Sequence, residues 1–186
     1  MNHYYDIKVA GLDRRLTICP VNDKLYIAGF LIIGDAELSE ACARELLKVA
    51  PEYDYIITAE AKGIPLAHEM ARQHKDRTYI VARKKPKAYM SGVFEVSVHS
   101  ITTEGEQKLF IDTVDAERMK GKRILIVDDV VSTGESMAAV EALVNEAGGN
   151  IVGKMTILAE GDAQKRDDIV YLEKLPLFNA EGKIIG

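Results

Sequence analysis

The stretch that decides the fold reads Ile124-Leu125-Ile126-Val127-Asp128-Asp129-Val130-Val131-Ser132-Thr133-Gly134-Glu135-Ser136. Its first four residues are a continuous apolar run of the kind that forms a buried strand, and the run ends in two adjacent carboxylates. A short loop rich in hydroxyl groups follows, and a helix is predicted to begin near Gly134. Ligands of an open α/β sheet bind beyond the carboxyl ends of its strands, so Asp128 and Asp129 are predicted to lie at a ligand site.

The loop between this strand and the helix predicts an anion site. Backbone N–H groups at a helix N-terminus point toward an anion, and the helix dipole favours negative charge there. Gly134 allows the backbone to approach a phosphate closely, and Ser132, Thr133 and Ser136 add hydroxyl donors. Carboxylates accept hydrogen bonds from hydroxyl groups. The acid pair beside the loop therefore fits a ligand with both a diol and a phosphate, such as a ribose 5-phosphate.

The remainder of the chain predicts an α/β fold with a mainly parallel sheet flanked by helices. From Pro51 onward short apolar runs alternate with helical segments, which is the pattern of a parallel sheet covered on both faces. The predicted strands are Tyr55–Thr58, Tyr79–Ala82, Ile124–Val127 and Ile151–Leu158, and the predicted helices are Pro65–His74 and Gly134–Ala147. No repeat or boundary is evident, so residues 1–186 are interpreted as a single domain.

The N-terminal residues, about 1–34, predict a β segment that would form a hood over this sheet. Short β runs flank the turn-like segment Gly11–Arg14, and Lys24–Ile33 is a further strand candidate. Asp35 is predicted to cap the helix that follows. The inner face of that helix is predicted from apolar residues at 3.6-residue spacing: Leu38, Ala41, Cys42, Leu46 and Val49.

Residues 83–113 interrupt the alternation of strands and helices. They contain a basic cluster and then two alternating runs, Val93–Ile101 and Gln107–Thr113, separated by a turn with Thr and Gly. Alternation with a period of two is typical of antiparallel strands. This segment is predicted to be an antiparallel flap inserted in the α/β core.

Composition excludes several classes of function. A formal net charge of −5 argues against a surface built for nucleic acid or for an anionic membrane. Cys19 and Cys42 have neither CxxC spacing nor the density of a disulfide scaffold, which favours a reducing compartment. No apolar window is long enough to cross a bilayer, and no N-terminal signal segment is evident. We therefore expect a cytoplasmic protein.

The stretch from Ile124 to Ser136 resembles the phosphoribosyl pyrophosphate motif of type I phosphoribosyltransferases along its whole length. The resemblance implies that Asp128 and Asp129 hold the ribose hydroxyls. It also implies a 5-phosphate site formed by Val131, Ser132, Thr133, Gly134, Glu135 and Ser136. A magnesium ion would be held mainly through the pyrophosphate and ribose oxygens, with Asp128 and Asp129 as the protein groups nearest to it. The family is commonly dimeric, so a homodimer is expected.

Two further stretches resemble the purine members of this family. Glu60-Ala61-Lys62-Gly63 is similar to the pyrophosphate loop of adenine phosphoribosyltransferases, in which Arg is usual at the position of Lys62. Lysine neutralises phosphate but lacks the bidentate fork of arginine. Relatives often have a non-proline cis peptide in this loop, here expected between Glu60 and Lys62. The cluster after Val81 is similar to the basic motif of the purine enzymes and adds the pyrophosphate-binding candidates Arg83, Lys84 and Lys87.

The identity of the purine rests on conflicting features. Adenine enzymes commonly carry a glutamate in the flap that assists proton transfer, whereas His99-Ser100-Ile101-Thr102 looks more like the xanthine enzymes, with Glu104 or Glu106 as substitutes. Glu160 follows a strand where xanthine enzymes carry a lysine, and an acid there would accept a hydrogen bond from a 6-amino group. Adenine is therefore favoured, with xanthine or hypoxanthine/guanine as the alternative. Base-binding candidates are Phe30, Leu31 and Glu160, with Ile33 beside them.

Other readings of the acid pair are less consistent with the sequence. In a response-regulator receiver the pair lies near the start of the fold, whereas here most of the chain precedes Asp128. The sequence contains neither the P-loop pattern nor GxGxxG, and His68 and His74 lack the spacing of a HExxH zinc site. A regulator that binds phosphoribosyl pyrophosphate without turnover stays open as a second class, although β structure is predicted from about Ile7, which leaves no room before it for a DNA-binding domain. Orotate or uracil is a third candidate acceptor.

Overall fold

A computed structural model describes residues 3–99 and 106–185, except for the side chains of His99 and Glu106. In chain order its elements are β1 (Tyr4–Val9), β2 (Leu12–Pro20), β3 (Tyr26–Gly29), α1 (Ala36–Leu47), β4 (Tyr55–Ala59), α2 (Ile64–His74), β5 (Ile80–Ala82), β6 (Val93–His99), β7 (Glu106–Asp112), α3 (Thr113–Met119), β8 (Arg123–Val131), α4 (Glu135–Glu146), β9 (Asn150–Glu160), a 3-10 turn (Gly161–Lys165), β10 (Val170–Leu175) and β11 (Leu177–Phe178). None of the helices in these described ranges is long and apolar enough to cross a membrane.

A five-stranded parallel sheet forms the centre of the molecule, in the spatial order β10-β9-β8-β4-β5. The chain starts this sheet at β4, adds β5 on one side, and then crosses back to add β8, β9 and β10 on the other. The point where the strand order reverses therefore lies between β4 and β8. A crevice at the carboxyl ends of these two strands is the expected ligand site of an open α/β sheet.

The apolar core forms two clusters that include residues of the central sheet. One cluster joins α1, α2 and the N-terminal strands to the sheet, and its buried members include Leu38, Leu46, Leu66, Met70 and Phe30. The other joins α4, α3 and the β6–β7 hairpin to the sheet, and includes Met137, Val140, Leu143, Met119 and Ile111. Burial of both faces explains why the strands read as apolar runs rather than as alternating ones.

The N-terminal hood is a four-stranded antiparallel sheet in the order β1-β2-β3-β11. The predicted hairpin is confirmed, but its turn is only Ala10-Gly11, both at positive φ, and Leu12–Arg14 already belongs to β2. β3 is shorter than the predicted run Lys24–Ile33. β11 is not among the strands predicted from the sequence. It follows β10 in the chain and pairs with Tyr26 and Ile27 of β3.

The expected flap is an antiparallel hairpin of β6 and β7, paired from Val93 opposite Asp112 to His99 opposite Glu106. The last residues of the predicted run Val93–Ile101 lie outside the described ranges, as does Glu104. Val96 and Leu109 are buried in the cluster below α4. Arg83 exchanges two backbone hydrogen bonds with Phe110, at 2.7 and 2.8 Å. The strands of the hairpin are thus fixed to the core.

The helix after the hood begins as predicted. Asp35 accepts a hydrogen bond from the Leu38 N–H at 3.0 Å and also binds Arg14 through two hydrogen bonds, of 2.6 and 3.0 Å. Cys42 is buried, and burial raises the pKa of its thiol to about 12, as expected for a core residue. The inward position predicted for Val49 is wrong, because α1 ends at Leu47 and Val49 is 59% exposed.

Asp35→Ala is expected to lower the free energy of unfolding by about 1 kcal/mol, because it removes the cap of α1. Loss of the partly buried Arg14 pair adds to this effect. Urea unfolding followed by circular dichroism measures the change. Asp13→Ala, whose side chain is 85% exposed, serves as the control and should change stability by less than about 0.5 kcal/mol. Equal stability of Asp35→Ala and wild type would contradict the capping role.

Candidate active site

The two acids lie inside β8 rather than at its end, which differs from the sequence prediction. β8 continues to Val131 because Val130 and Val131 still pair with Leu158 and Ala159 of β9. On the other side, the pairing of β8 with β4 ends at Ile126. Asp128 and Asp129 therefore have β9 on one side and the loop after β4 on the other, at the reversal of strand order.

The Asp128 carboxyl occupies a site that disfavours its charge. Burial is the main cause and the neighbouring Asp129 carboxylate the second, and together they raise the pKa of Asp128 to about 7. Its Oδ1 accepts a hydrogen bond from the Asp129 N–H at 2.9 Å, which partly offsets the shift. A carboxyl group with this pKa changes its charge near neutral pH.

Asp129 is a buried carboxylate next to one cation. The residue is 2% exposed, and Oδ2 lies 3.6 Å from Nζ of Lys62, whose side chain is half exposed. Within the described residues Oδ2 has no hydrogen-bond partner. Buried acceptors in proteins are almost always satisfied, so this oxygen is a candidate acceptor for a ligand hydroxyl or for a cation.

The loop after β4 lies unusually close to β8. A Cβ atom on Gly63 would lie 3.0 Å from Asp128 Oδ1 and 3.3 Å from Asp128 Cα, and would overlap the hydroxyl oxygen of Thr58. Only glycine fits at this distance. The peptide between Glu60 and Ala61 is cis, within the segment where the resemblance placed one. Ala61 and Lys62 of this loop are exposed, and Lys62 lies next to the acid pair.

Glu60 gathers the basic cluster that follows β5. Its carboxylate accepts hydrogen bonds from Nη1 of Arg83 at 3.2 Å and from the Lys84 N–H at 3.1 Å, and lies 3.8 Å from Nζ of Lys87. Partial burial opposes its charge, but these donors outweigh burial and hold the pKa of Glu60 below its usual value. The side chain of Glu60 thus positions Arg83 and Lys87 beside the loop, while the side chain of Lys84 points into solvent.

The predicted phosphate loop consists of the residues after β8. Gly134 caps α4 with a φ of 82°, a conformation that favours glycine. Ser132, Thr133 and Ser136 are exposed, and Thr133 Oγ1 accepts from the Glu135 N–H at 3.5 Å. Val131 differs from the expectation, because its side chain is buried in the core and belongs to the strand.

The base-binding candidates are not equivalent. Glu160 is the last residue of β9 and lies beside the phosphate loop. The residue is buried, and burial raises the pKa of its carboxyl. The Ser132 hydroxyl donates a hydrogen bond to this carboxyl, and the charge of Lys62 acts on it as well. The ring of Phe30 is packed in the core, so it is not available to contact a base. Leu31 is 58% exposed, and Ile33 is also exposed. The side chain of Glu106, a candidate for proton transfer, lies outside the described part of the chain.

One cation near the site was missed by the sequence analysis. Arg166 follows the 3-10 turn after β9, and its Nη1 lies so close to Gly134 that a Cβ there would be 2.5 Å away. A basic residue just beyond a strand that neighbours the acid-bearing strand was the available signal. The described residues contain no group of three or more His, Cys, Asp or Glu side chains able to hold a metal by themselves.

The comparisons with known proteins agree with this geometry. A family model described as phosphoribosyl transferase domain matches residues 32–180. The hypoxanthine/guanine phosphoribosyltransferase of Methanocella paludicola is 31% identical over 97% of this chain and 92% of that enzyme. The enzyme of the same name from Methanococcus voltae is 34% identical over 69% of this chain and 65% of its own length. The chain therefore belongs to the phosphoribosyltransferase family, in its purine branch.

Solved structures give the same fold. The adenine phosphoribosyltransferase of Rhodothermus marinus superposes with a TM-score of 0.64 at 20% identity, covering 93% of this chain and 94% of that one. The adenine phosphoribosyltransferase of Thermoanaerobacter pseudethanolicus also gives 0.64, at 23% identity, over 77% and 84%. The predicted fold class, a parallel α/β sheet with an N-terminal antiparallel sheet and an inserted hairpin, is confirmed.

Gly63→Ala is expected to destabilise the protein by about 1–3 kcal/mol, because the added methyl group collides with Thr58 and Asp128. It should also lower activity by displacing Asp128. Gly29→Ala is the matched control, since a Cβ there meets Thr17 O at 3.4 Å and Cys19 Sγ at 3.6 Å, both ordinary contacts. Thermal unfolding of both variants measures the difference. A Gly63→Ala protein as stable as Gly29→Ala would contradict the close approach.

Asp128→Asn is expected to change how stability depends on pH. In the folded wild type the pKa of Asp128 is about 7, above its ordinary value of 3.8, so the folded state keeps its proton where the unfolded state has lost it. The neutral carboxyl therefore contributes its whole stabilising free energy below about pH 4, and this contribution is lost as the pH rises through 7. Between pH 5 and pH 8 the wild type should lose about 2–3 kcal/mol relative to the variant. Urea unfolding at both pH values tests this. A constant difference between the two proteins would argue against a raised pKa.

Proposed function

We propose that this protein transfers the 5-phosphoribosyl group of phosphoribosyl pyrophosphate to a ring nitrogen of a purine, giving a nucleoside monophosphate and pyrophosphate in purine salvage. The observation that carries the proposal is the meeting of three chemically different groups at one reversal of strand order. These are the acid pair of β8, of which Asp129 is buried, the helix-capping phosphate loop and the cation-bearing loop after β4. Each suits one part of the donor substrate.

The acid pair suits the reacting sugar. As the bond from the anomeric carbon to pyrophosphate lengthens, positive charge develops on the ribose ring. Asp128 and Asp129 lie in a site with little water, where fixed negative charge stabilises a developing cation more strongly than in bulk solvent. Asp129 Oδ2, which accepts no hydrogen bond from the described residues, is the candidate acceptor for a ribose hydroxyl. Attack by the purine from the opposite face requires no covalent intermediate.

The cations suit the leaving group. Lys62 lies beside Asp129, and Arg83 and Lys87 are held by Glu60 at the neighbouring loop. Glu60 itself would repel pyrophosphate, so its role is to position these cations and the backbone of Ala61, Lys62 and Gly63. The three side chains supply positive charge of the same magnitude as the negative charge of pyrophosphate.

Magnesium fits this site as an ion shared between substrate and protein. Mg²⁺ accepts carboxylate oxygens as ligands, and the buried Oδ2 of Asp129 accepts no hydrogen bond from the described residues. The described residues contain no group of three or more acidic, His or Cys side chains that could hold the ion without the substrate. Asp128 and Asp129 would contact the ion, together with substrate oxygens. When bound, magnesium would neutralise part of the charge of the departing pyrophosphate.

Two purine acceptors are candidates. The sequence features favour adenine, but the relatives from Methanococcus voltae and Methanocella paludicola, at 34% and 31% identity, are named as hypoxanthine/guanine enzymes, whereas the two adenine enzymes of known structure described above are 23% and 20% identical. An ionised Glu160 would accept from the N1–H of a 6-oxopurine as readily as from the 6-amino group of adenine. We therefore place hypoxanthine or guanine first and adenine second. A homodimer in the cytoplasm, binding neither nucleic acid nor membrane, completes the proposal.

A panel assay tests the function. Purified protein with phosphoribosyl pyrophosphate and magnesium is given adenine, hypoxanthine, guanine, xanthine, orotate and uracil separately, and pyrophosphate release is measured. Release with one or two purines is expected. Binding of the donor by calorimetry without release for any base would indicate a sensor and overturn the enzyme assignment. Release with orotate or uracil alone would overturn the purine assignment.

Asp128→Asn is expected to lower turnover by about two orders of magnitude or more, because the variant has no carboxylate at this position to stabilise the charge that develops on the sugar. Initial rates at saturating donor and base measure the effect. Asp23→Asn removes a carboxylate from an exposed turn and is the control for net charge. Near wild-type turnover in Asp128→Asn would contradict the electrostatic role of the acid pair.

A further inference from the structure

Arg166 occupies a position that the electrostatics of a helix disfavours. Its guanidinium packs against Gly134, the residue that caps the N-terminus of α4. The N-terminus of a helix carries partial positive charge, so a cation beside it is destabilising unless an anion lies between them. Asp168 pairs with Arg166 and with Lys154, and Glu141 also pairs with Lys154, so two acids balance two bases. The Nη1 edge beside Gly134 nevertheless has no hydrogen-bond partner among the described residues. The position is best explained by a second anion at the loop.

The guanidinium is held with one edge directed at the loop. Nε and Nη2 donate to the two oxygens of Asp168 at 2.8 and 2.7 Å, which leaves Nη1 as the nitrogen nearest to Gly134. Arginine that is already oriented by a carboxylate loses little conformational entropy when it binds a phosphate. Its side chain is 30% exposed, so the group is accessible from the crevice without being fully hydrated.

The turn that carries Arg166 is itself rigid. Ala163 is buried, Gln164 donates through its side chain to Leu175 O at 3.0 Å, and the Tyr171 hydroxyl donates to Gln164 O at 3.1 Å. Lys154 also bonds Glu141, which lies on α4. A network of four charged side chains thus connects the turn to the same helix whose N-terminus carries the phosphate loop.

We propose that Arg166 is a ligand of the 5-phosphate, donating from Nη1 to the phosphate that the loop from Ser132 to Ser136 receives. This inference rests on the proposed function, because it adds a residue to that same site. A guanidinium donor makes both partners of the hydrogen bond ionised, whereas backbone amides and hydroxyls are neutral donors to the phosphate. The residue acts in binding the donor and the nucleotide product, and the base and the pyrophosphate do not meet it.

Titration calorimetry with ribose 5-phosphate and with inorganic pyrophosphate tests this role. Arg166→Met should weaken the binding of ribose 5-phosphate by about 10- to 100-fold, the range expected for one hydrogen bond from a charged group. Pyrophosphate affinity should be unchanged, which also shows that the variant is folded. Arg166→Lys, which keeps the charge, should recover part of the loss. Equal weakening of both ligands, or of neither, would overturn the assignment.

Two controls separate a phosphate ligand from a structural brace. Lys165→Met removes a neighbouring cation that is 81% exposed and, within the described part of the chain, pairs with Asp162, and it should leave both affinities within about threefold of wild type. Asp168→Asn keeps the charge of Arg166 and loosens its anchor, so a ligand role predicts a smaller loss than Arg166→Met. A loss as large as that of Arg166→Met would identify Arg166 as a brace. Wild-type protein that fails to bind ribose 5-phosphate would overturn the proposed function itself.

Discussion

The structure depends on holding two adjacent carboxylates inside the central strand, where water is scarce. Burial and repulsion by Asp129 both disfavour the charged form of Asp128. The surrounding residues must therefore offset a large electrostatic free energy. A backbone N–H donates to Asp128, a lysine ammonium lies beside Asp129, and Gly63 brings the loop after β4 against Asp128. Each of these offsets is incomplete. The remaining unfavourable energy is what a substrate with hydroxyls and a divalent ion can relieve on binding.

Charges alternate outward from this acid pair. Lys62 lies next to the acid pair, Glu60 lies beyond Lys62, and Arg83 and Lys87 lie around Glu60. Negative and positive side chains therefore alternate with distance from the acid pair. The order of the strands makes this arrangement possible, because β4 and β5 end beside β8 at the same edge of the sheet.

The sequence predicted the features that depend on neighbouring residues and missed those that depend on distant ones. The strand, acid pair, loop and helix of Ile124–Ser136 are local, and so is the cap at Asp35, and these were found. The extension of β8 to Val131 depends on pairing with β9, which no local pattern reveals. The burial of Phe30 depends on the hood, and the approach of Arg166 to Gly134 joins residues from two different turns. Long-range contacts of this kind leave no periodicity in the chain.

The participation of β11 in the hood has a consequence for how the molecule is made. β3 is completed only by Leu177 and Phe178, and the ring of Phe178 packs edge-on against Tyr5 with centroids 5.4 Å apart. The hood is therefore incomplete until Leu177 and Phe178, which follow all five strands of the parallel sheet in the chain, are in place. Loop closure over so many residues is slow. The edge of β3 at Tyr26 and Ile27 therefore stays unpaired until Leu177 and Phe178 reach it.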